Sequence, residues 1–278
     1  MGPLLVLKVH EAMRAAVAGG ATSLQCSLDL DRSTTSVEID ATQWSWQGQR
    51  FPYLESCKER TIYHWDGAGF RPVSRYAGAL IKLVPTQWGP PTFEIDGIKM
   101  LPTSKVSPYA DAQSKVALIK PRGKVILDTC GGLGYFASWC LQGEAARVFS
   151  YEKNADVIWL RGLNPWSPQI ESADVAARLS LTHGDIAEHI VTMTGESVDA
   201  ILHDPPRFGI AGELYSQAFY DQLARVMRRR GMLFHYTGTP NKLTSGRDVP
   251  NEVARRLQKS GFAVKLHGDG VLAVKSSR

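Results

Sequence analysis

The sequence predicts an α/β protein: an open, mostly parallel sheet covered by helices on both faces, preceded by a smaller β-rich region. Three observations carry this. From about residue 104 onward, apolar strand patterns alternate with helical ones. Before that point, short runs with a period of two are punctuated by glycine and proline. Between the two textures' midpoints, an apolar strand pattern runs straight into a glycine-rich turn and a helical pattern. Strict alternation of strand and helix favours parallel pairing, because each helix returns the chain to the start of the next strand.

The elements follow in order. Residues 4–18 carry apolar positions at roughly helical spacing and end at Gly19-Gly20. Leu24, Cys26, Leu28 and Leu30 then alternate with polar residues, Asp31-Arg32-Ser33 supplies a turn, and Val37 and Ile39 alternate again, which reads as a hairpin. Further strand patterns lie at Gln43–Trp46, Thr61–Trp65, Leu80–Val84 and Thr92–Ile98. Residues 1–103 are therefore expected to form a helix plus a small β-rich domain, and 104–278 the α/β domain. In the latter, strands are expected at Lys124–Asp128, Arg147–Glu152, Leu179–Thr182, Val198–His203, Gly231–Thr237, Phe262–Leu266 and Val271–Lys275. Helical patterns at Ala110–Ile119, Tyr135–Leu141, Ala155–Leu163, Ile186–Met193, Leu214–Arg229 and Asn251–Lys259 precede or separate most of them. The last two strand patterns are parted only by His267-Gly268-Asp269-Gly270, so a hairpin there gives the sheet an antiparallel edge.

Composition narrows the class. The 278 residues are 44% hydrophobic and 21% charged, ordinary values for a globular chain with a sizeable core. A formal charge of +5 suits an anionic partner such as RNA without requiring one. Cys26, Cys57, Cys130 and Cys140 show no two-residue spacing and no grouping with histidine, so free thiols and no metal are expected. The apolar N-terminal run is broken by Lys8, Glu11 and Arg14, too early for a signal-peptide core, and no later run approaches a membrane span. A cytoplasmic protein is expected.

The most informative run is Val125-Ile126-Leu127-Asp128-Thr129-Cys130-Gly131-Gly132-Leu133-Gly134-Tyr135. Glycines let a backbone turn tightly and approach a ligand where side chains would collide. Three acids reinforce it: Asp128 ahead of the glycines, Glu152 ending the next strand pattern 18 residues after Gly134, and Asp185 in His183-Gly184-Asp185-Ile186. Taken singly each acid reads equally as a turn or cap residue. Taken together they resemble the class I S-adenosylmethionine (SAM)-dependent methyltransferases, with a seven-stranded Rossmann-like sheet. The resemblance implies that Asp128 faces the cofactor's amino group and that Cys130, Gly131, Gly132 and Gly134 form its loop. It further implies that Glu152 takes the ribose hydroxyls, while Asp185 and Ile186 hold the adenine. The glycines lack the six-residue spacing of a dinucleotide fingerprint.

The fourth strand pattern ends His203-Asp204-Pro205-Pro206-Arg207-Phe208. In methyltransferases of exocyclic base amines, an acid or amide, two prolines and an aromatic residue occupy this place. The resemblance implies that Asp204 and the Pro205 carbonyl accept from an amine, with Pro206 completing the run. Arg207 stands where the aromatic residue is usual, with Phe208 next; either can stack on a base, or the arginine can bind an anion. Asn164-Pro165-Trp166-Ser167, Gly212-Glu213-Leu214-Tyr215-Ser216, Phe234-His235-Tyr236 and Gly246-Arg247-Asp248 resemble a narrower, archaeal-type set of predicted methyltransferases described as spermidine-synthase-like. Tyr215, Tyr236 and Arg247 are expected near the acceptor, and His235 or His203 as proton acceptor. A cytosine carbon-5 methyltransferase is not expected, since no cysteine lies at this strand end.

In the first region, Trp44, Trp46, Tyr53, Tyr63, Trp65, Phe70 and Tyr76 are interleaved with Arg50, Lys58, Arg60, Arg71 and Arg75. This fits either a small aromatic core or a single-stranded RNA platform. Met227-Arg228-Arg229-Arg230 is expected to cap a helix C-terminus. The function expected is SAM-dependent N-methylation of a base amine in ribosomal or transfer RNA. The alternatives are methylation of a small amine or protein, and aminopropyl transfer from decarboxylated SAM.

Overall fold

The structure is a computed structural model describing residues 2–238 and 248–277. It divides into two compact units, Met1–Asp111 with Trp159–Trp166, and Ala112–Ile158 with Ser167–Arg278.

In the first unit, β1 (Leu4–Leu5) leads into α1 (Leu7–Ala18). Strands β2 (Ser23–Cys26), β3 (Thr35–Ile39), β4 (Gln43–Trp46) and β5 (Gln49–Pro52) form an antiparallel meander. Then come β6 (Tyr63–Trp65), which pairs with β1, and β7 (Phe70–Pro72), which pairs with β6. A third sheet holds β8 (Ser74–Tyr76), β9 (Leu80–Val84), β10 (Thr92–Ile95) and β11 (Ile98–Lys99). The interleaved aromatics are mostly core. Trp44, 1% exposed, stacks on Phe51 at 4.5 Å, and Trp65 meets Phe51 and Phe70 edge-on. Val9 and Met13 of α1 close the same cluster. Most of these rings therefore serve the core, Trp46, Tyr53, Trp65 and Phe70 as its half-buried margin, and of the seven Tyr76 is exposed, at 75%.

The chain continues with α2 (Pro108–Ile119), whose residues from Ala112 belong to the second unit, β12 (Val125–Asp128), α3 (Tyr135–Gln142), β13 (Arg147–Glu152) and α4 (Ala155–Leu163), whose residues from Trp159 belong to the first. There follow α5 (Ala173–Arg178), β14 (Leu179–His183), α6 (Ile186–His189), β15 (Val198–His203) and α7 (Gln217–Val226). The remainder is β16 (Met227–Tyr236), α8 (Val249–Lys259), β17 (Phe262–His267) and β18 (Gly270–Lys275). The seven strands lie in the order β14-β13-β12-β15-β16-β18-β17. The first five are parallel, and β18 is antiparallel to both of its neighbours. The hairpin is thus present, but its antiparallel strand is interior rather than at the edge. Burial explains the choice: Val271 and Ala273 of β18 are fully enclosed, while Ala263, Lys265 and Leu266 of β17 tolerate solvent.

On one face, Leu127, Ile201 and Leu233 pack against α7 and α8. Helix α7 begins because Ser216 accepts from Phe219 N, and it buries Phe219, Tyr220, Leu223 and Val226. Each such apolar side chain contributes roughly 1.5–3 kcal/mol relative to exposure. The helix stops at Val226, earlier than expected, and Arg228–Arg230 open β16 instead of capping a helix. Arg228 there pairs with Asp199 at 2.7 Å.

Candidate active site

The order of pairing reverses at β12: chain continuity runs outward from it to β13 and β14, whereas β15 and β16 lie on its other side. Such a switch point opens a crevice at the carboxyl ends of the strands. The residues expected to bind cofactor follow the ends of β12, β13 and β14, and those expected to bind acceptor follow β15 and β16.

On the first side, Asp128 is fully buried and accepts from Ser150 Oγ at 2.8 Å, its cross-strand partner on β13. The loop after it folds back on itself: Gly131 N donates to Tyr151 O and Gly134 N to Gly131 O, each at 2.7 Å. Gly132 and Gly134 have φ of 48° and 79°, a left-handed region that glycine enters without steric cost. Gly134 is also the N-cap of α3, so the glycine loop leads directly into the positive end of that helix. Glu152 Oε2 accepts from Gly132 N at 2.9 Å and Oε1 from Asn154 N at 2.8 Å. The carboxylate is thus oriented by backbone amides on both of its oxygens.

Asp185 caps α6 through Ala187 N at 2.9 Å, and Lys153 Nζ reaches its other oxygen at 2.6 Å. Burial raises the Asp185 carboxyl's pKa, but the Lys153 and Ala187 hydrogen bonds outweigh that and hold it below its usual range. Ile186 is buried beside it. Cys130 is partly buried, and burial, followed by the charge of Glu152, pushes its thiol well up.

On the second side, Asp204 is half-buried, Pro205 buried, and Pro206 and Arg207 exposed, with Phe208 half-buried against Tyr215 at 5.4 Å. Tyr215 Oη donates to Pro206 O at 3.1 Å. Its hydroxyl pKa is raised first by burial and then by the charges of Asp204 and Cys130, which places the acid of β15 and the glycine loop within mutual electrostatic reach.

Under these residues lies a histidine pair that sequence reading singled out for proton transfer. The ring nitrogens assign their own tautomers. His203 Nε2 faces Leu214 O at 3.1 Å and must donate, so Nδ1 accepts from Thr129 Oγ at 2.7 Å. His235 Nδ1 donates to Tyr236 O at 2.7 Å, and Nε2 accepts from Tyr220 Oη at 2.9 Å. Both side chains are 0% exposed, and their rings meet edge-on at 4.4 Å. Burial lowers His203 to about 4 and His235 well below its usual value. The proton-acceptor role expected of His235 does not fit: both nitrogens are engaged, and the ring does not reach solvent.

Tyr236 sits half-buried at the end of β16. Lys115 of α2, itself buried, holds its ammonium 4.0 Å from the Tyr236 ring centroid and 3.8 Å from Asp269. Gly270 closes this corner, since a Cβ there would meet His235 O at 2.6 Å. Arg247 lies outside the described residues. Sequence reading missed Thr129, Ser150 and Lys115. Polar residues at the buried ends of apolar strands signal the first two; Lys115 carries no such sign. Among the described residues, no cluster of three or more His, Cys, Asp or Glu is placed to hold a metal, and no helix is long and apolar enough to cross a membrane.

Residues 151–267 match the profile of a family described as S-adenosyl-L-methionine-dependent methyltransferase. Over 214 residues the chain is 42% identical to an uncharacterized protein of Methanocaldococcus jannaschii, covering 76% of this chain and 72% of that protein. Among solved structures, spermidine synthase from Thermotoga maritima superposes with a TM-score of 0.53 at 16% identity, covering 74% and 72% of the two chains. MNMC2 from Aquifex aeolicus gives 0.51 at 17% identity, covering 73% and 72%. At such identities the likeness is one of fold. The chain belongs to the S-adenosyl-L-methionine-dependent methyltransferase family and is an enzyme using that cofactor.

Proposed function

We propose that this enzyme N-methylates an exocyclic base amine in RNA, with Asp204 and the Pro205 carbonyl accepting hydrogen bonds from the amine. The observation that carries the reading is the 2.7 Å hydrogen bond between Thr129 and His203. It ties the glycine loop to the Asp204-Pro205-Pro206 run from beneath.

S-adenosyl-L-methionine supplies an electrophilic methyl group; Glu152 fits its ribose, and Asp185 with Ile186 its adenine. Asp128 and the loop of Cys130, Gly131, Gly132 and Gly134 fit its methionine end. Asp204 orients the amine, because a neutral nitrogen turning positive needs acceptors already in place. The same carboxylate is half-exposed and can pass the amine's proton to solvent, a task the enclosed His235 does not share. Tyr215 holds the Pro206 carbonyl, Phe208 packs beside it, and Arg207 is exposed to take a base edge or a phosphate. Tyr236, with Lys115 over its ring, forms the far wall.

The test is transfer from methyl-labelled SAM to three pools: ribosomal and transfer RNA, protein, and polyamines. Label in a base amine, lost in Asp204→Ala, supports the reading. Label confined to protein or polyamine overturns it.

A further inference from the structure

A surface cleft of about 260 Å³ lies wholly within the first unit, far in sequence from the motifs above. It is lined by Arg60, Thr86, Gln87, Thr92, Lys99 and Thr103, among others. Its charge is unbalanced. The buried Glu94 pairs with Arg60 and, at 3.6 Å, with Lys82. Lys99, opposite Glu94 across the β10–β11 pair, spends its ammonium on a neutral hydroxyl, Thr103 Oγ, at 2.8 Å. One carboxylate among three cations leaves two positive charges in excess. Arg60 also holds a φ of 54°, a left-handed conformation that costs free energy and is kept where the surroundings fix it.

An aromatic ring stands at the rim. Trp88 is 41% exposed, and its Nε1–H donates to Thr103 O at 3.0 Å, while its backbone N donates to Thr86 Oγ at 3.1 Å. The indole is therefore anchored to the residue that receives Lys99. Cations with hydroxyl and amide donors suit any anion. An anchored, exposed indole beside them adds a stacking surface, which an acidic peptide does not use and an unpaired base does.

We propose that this cleft binds single-stranded RNA, with Arg60 and Lys99 on a backbone phosphate and Trp88 under a neighbouring base. The choice of RNA rests on the acceptor reading above; the site itself does not.

The experiment is fluorescence anisotropy of a labelled single-stranded RNA of about twelve nucleotides, a length that spans one small binding fold. The 278-residue parent is compared with Lys99→Ala, Trp88→Ala and, as a control on the exposed face of β17, Lys265→Ala. Trp88→Ala is expected to weaken binding by about 5- to 150-fold, the range for loss of one stacked base. Lys99→Ala should weaken it and flatten the log–log salt slope by about 0.7, one single-strand phosphate contact. Lys265→Ala should bind as the parent does, and polyglutamate should compete poorly. Parental affinity and slope in both cleft variants, equal competition by polyglutamate, or no binding by the parent at low salt each overturns the proposal. Run beside the methyl-transfer assay, the two failures separate. RNA labelled while the cleft variants bind normally removes the cleft alone; cleft-dependent binding with no RNA labelled removes the acceptor reading alone.

Discussion

Replacing Glu152 with alanine isolates the cofactor side of the site. The carboxylate receives Gly132 N at 2.9 Å and Asn154 N at 2.8 Å, so its position is set by backbone rather than by its own rotamer preferences. Alanine removes the acceptor for a ribose hydroxyl and the anchor of the glycine loop together. A hydrogen bond to a charged group is worth about 1.5–3 kcal/mol, which corresponds to a loss of SAM affinity of roughly 10- to 150-fold. Glutamine keeps one acceptor oxygen and the side chain's length but loses the charge, and neutral hydrogen bonds are about half as strong, so Glu152→Gln should fall between alanine and parent. The assay is calorimetric titration with SAM and S-adenosylhomocysteine, with melting temperatures checking that both variants are folded. Since Glu152 is half-buried and solvent can reach the freed amides, little change in melting is expected. An alanine variant that melts as the parent does and binds SAM within threefold would refute the assignment.

Asp204→Ala should lower turnover by about a hundredfold or more, the scale for removing one preorganised transition-state partner, while leaving SAM affinity within a few-fold; retained turnover with normal binding would remove its role. Gly270→Ala places a Cβ 2.6 Å from His235 O and 2.7 Å from the Phe234 ring, so overpacking should cost about 1–3 kcal/mol in denaturant unfolding. An unchanged midpoint would show that the β16–β18 pairing is looser than described. His203 titrates at about 4 when folded against 6.5 when unfolded. The unfolded chain then binds more protons between those values, so stability is fully present above pH 6.5 and falls as pH drops toward 4. For this residue the slope approaches about 1.4 kcal/mol per pH unit, and His235 acts in the same direction. Urea melts from pH 7 to 4.5 measure this, and His203→Gln should flatten the slope; an identical slope in the variant would assign the acid sensitivity elsewhere.

Strand and helix alternation exposed the second unit's sheet because its apolar runs sit at strand ends marked by glycine and acid. The position of β18 was not legible, since pairing partners depend on which of two similar strands buries better, a tertiary comparison. Helix α5 went unseen because Ala173–Arg178 has no buried residue and hence no apolar period. In the candidate site, Glu152 and Asp185 stand out by position alone, whereas His203 and His235 read from sequence equally as proton acceptors and as core histidines. A histidine near a substrate reads as a base until its two nitrogens are counted against their partners. In the first unit, the same aromatic spacing served two opposite readings, and only the stacking of Trp44, Phe51, Trp65 and Phe70 decided between them.

The placement of β18 also favours one order of events. Residues 262–267 find their pairing partner in residues 270–275, and those in turn must enter beside β16. Until the hairpin has formed, β16 presents an open, apolar side, and β17 has nowhere to join. A ribbon already paired brings both strands to β16 in one step. Hairpins close in about 1–10 μs, far faster than about 5–20 residues are added each second, so ribbon formation keeps pace with synthesis. What stays exposed meanwhile is the flank of β16 that carries Phe234 and His235, and a hairpin weakened at Gly268 or Gly270 would lengthen that exposure and favour aggregation over docking.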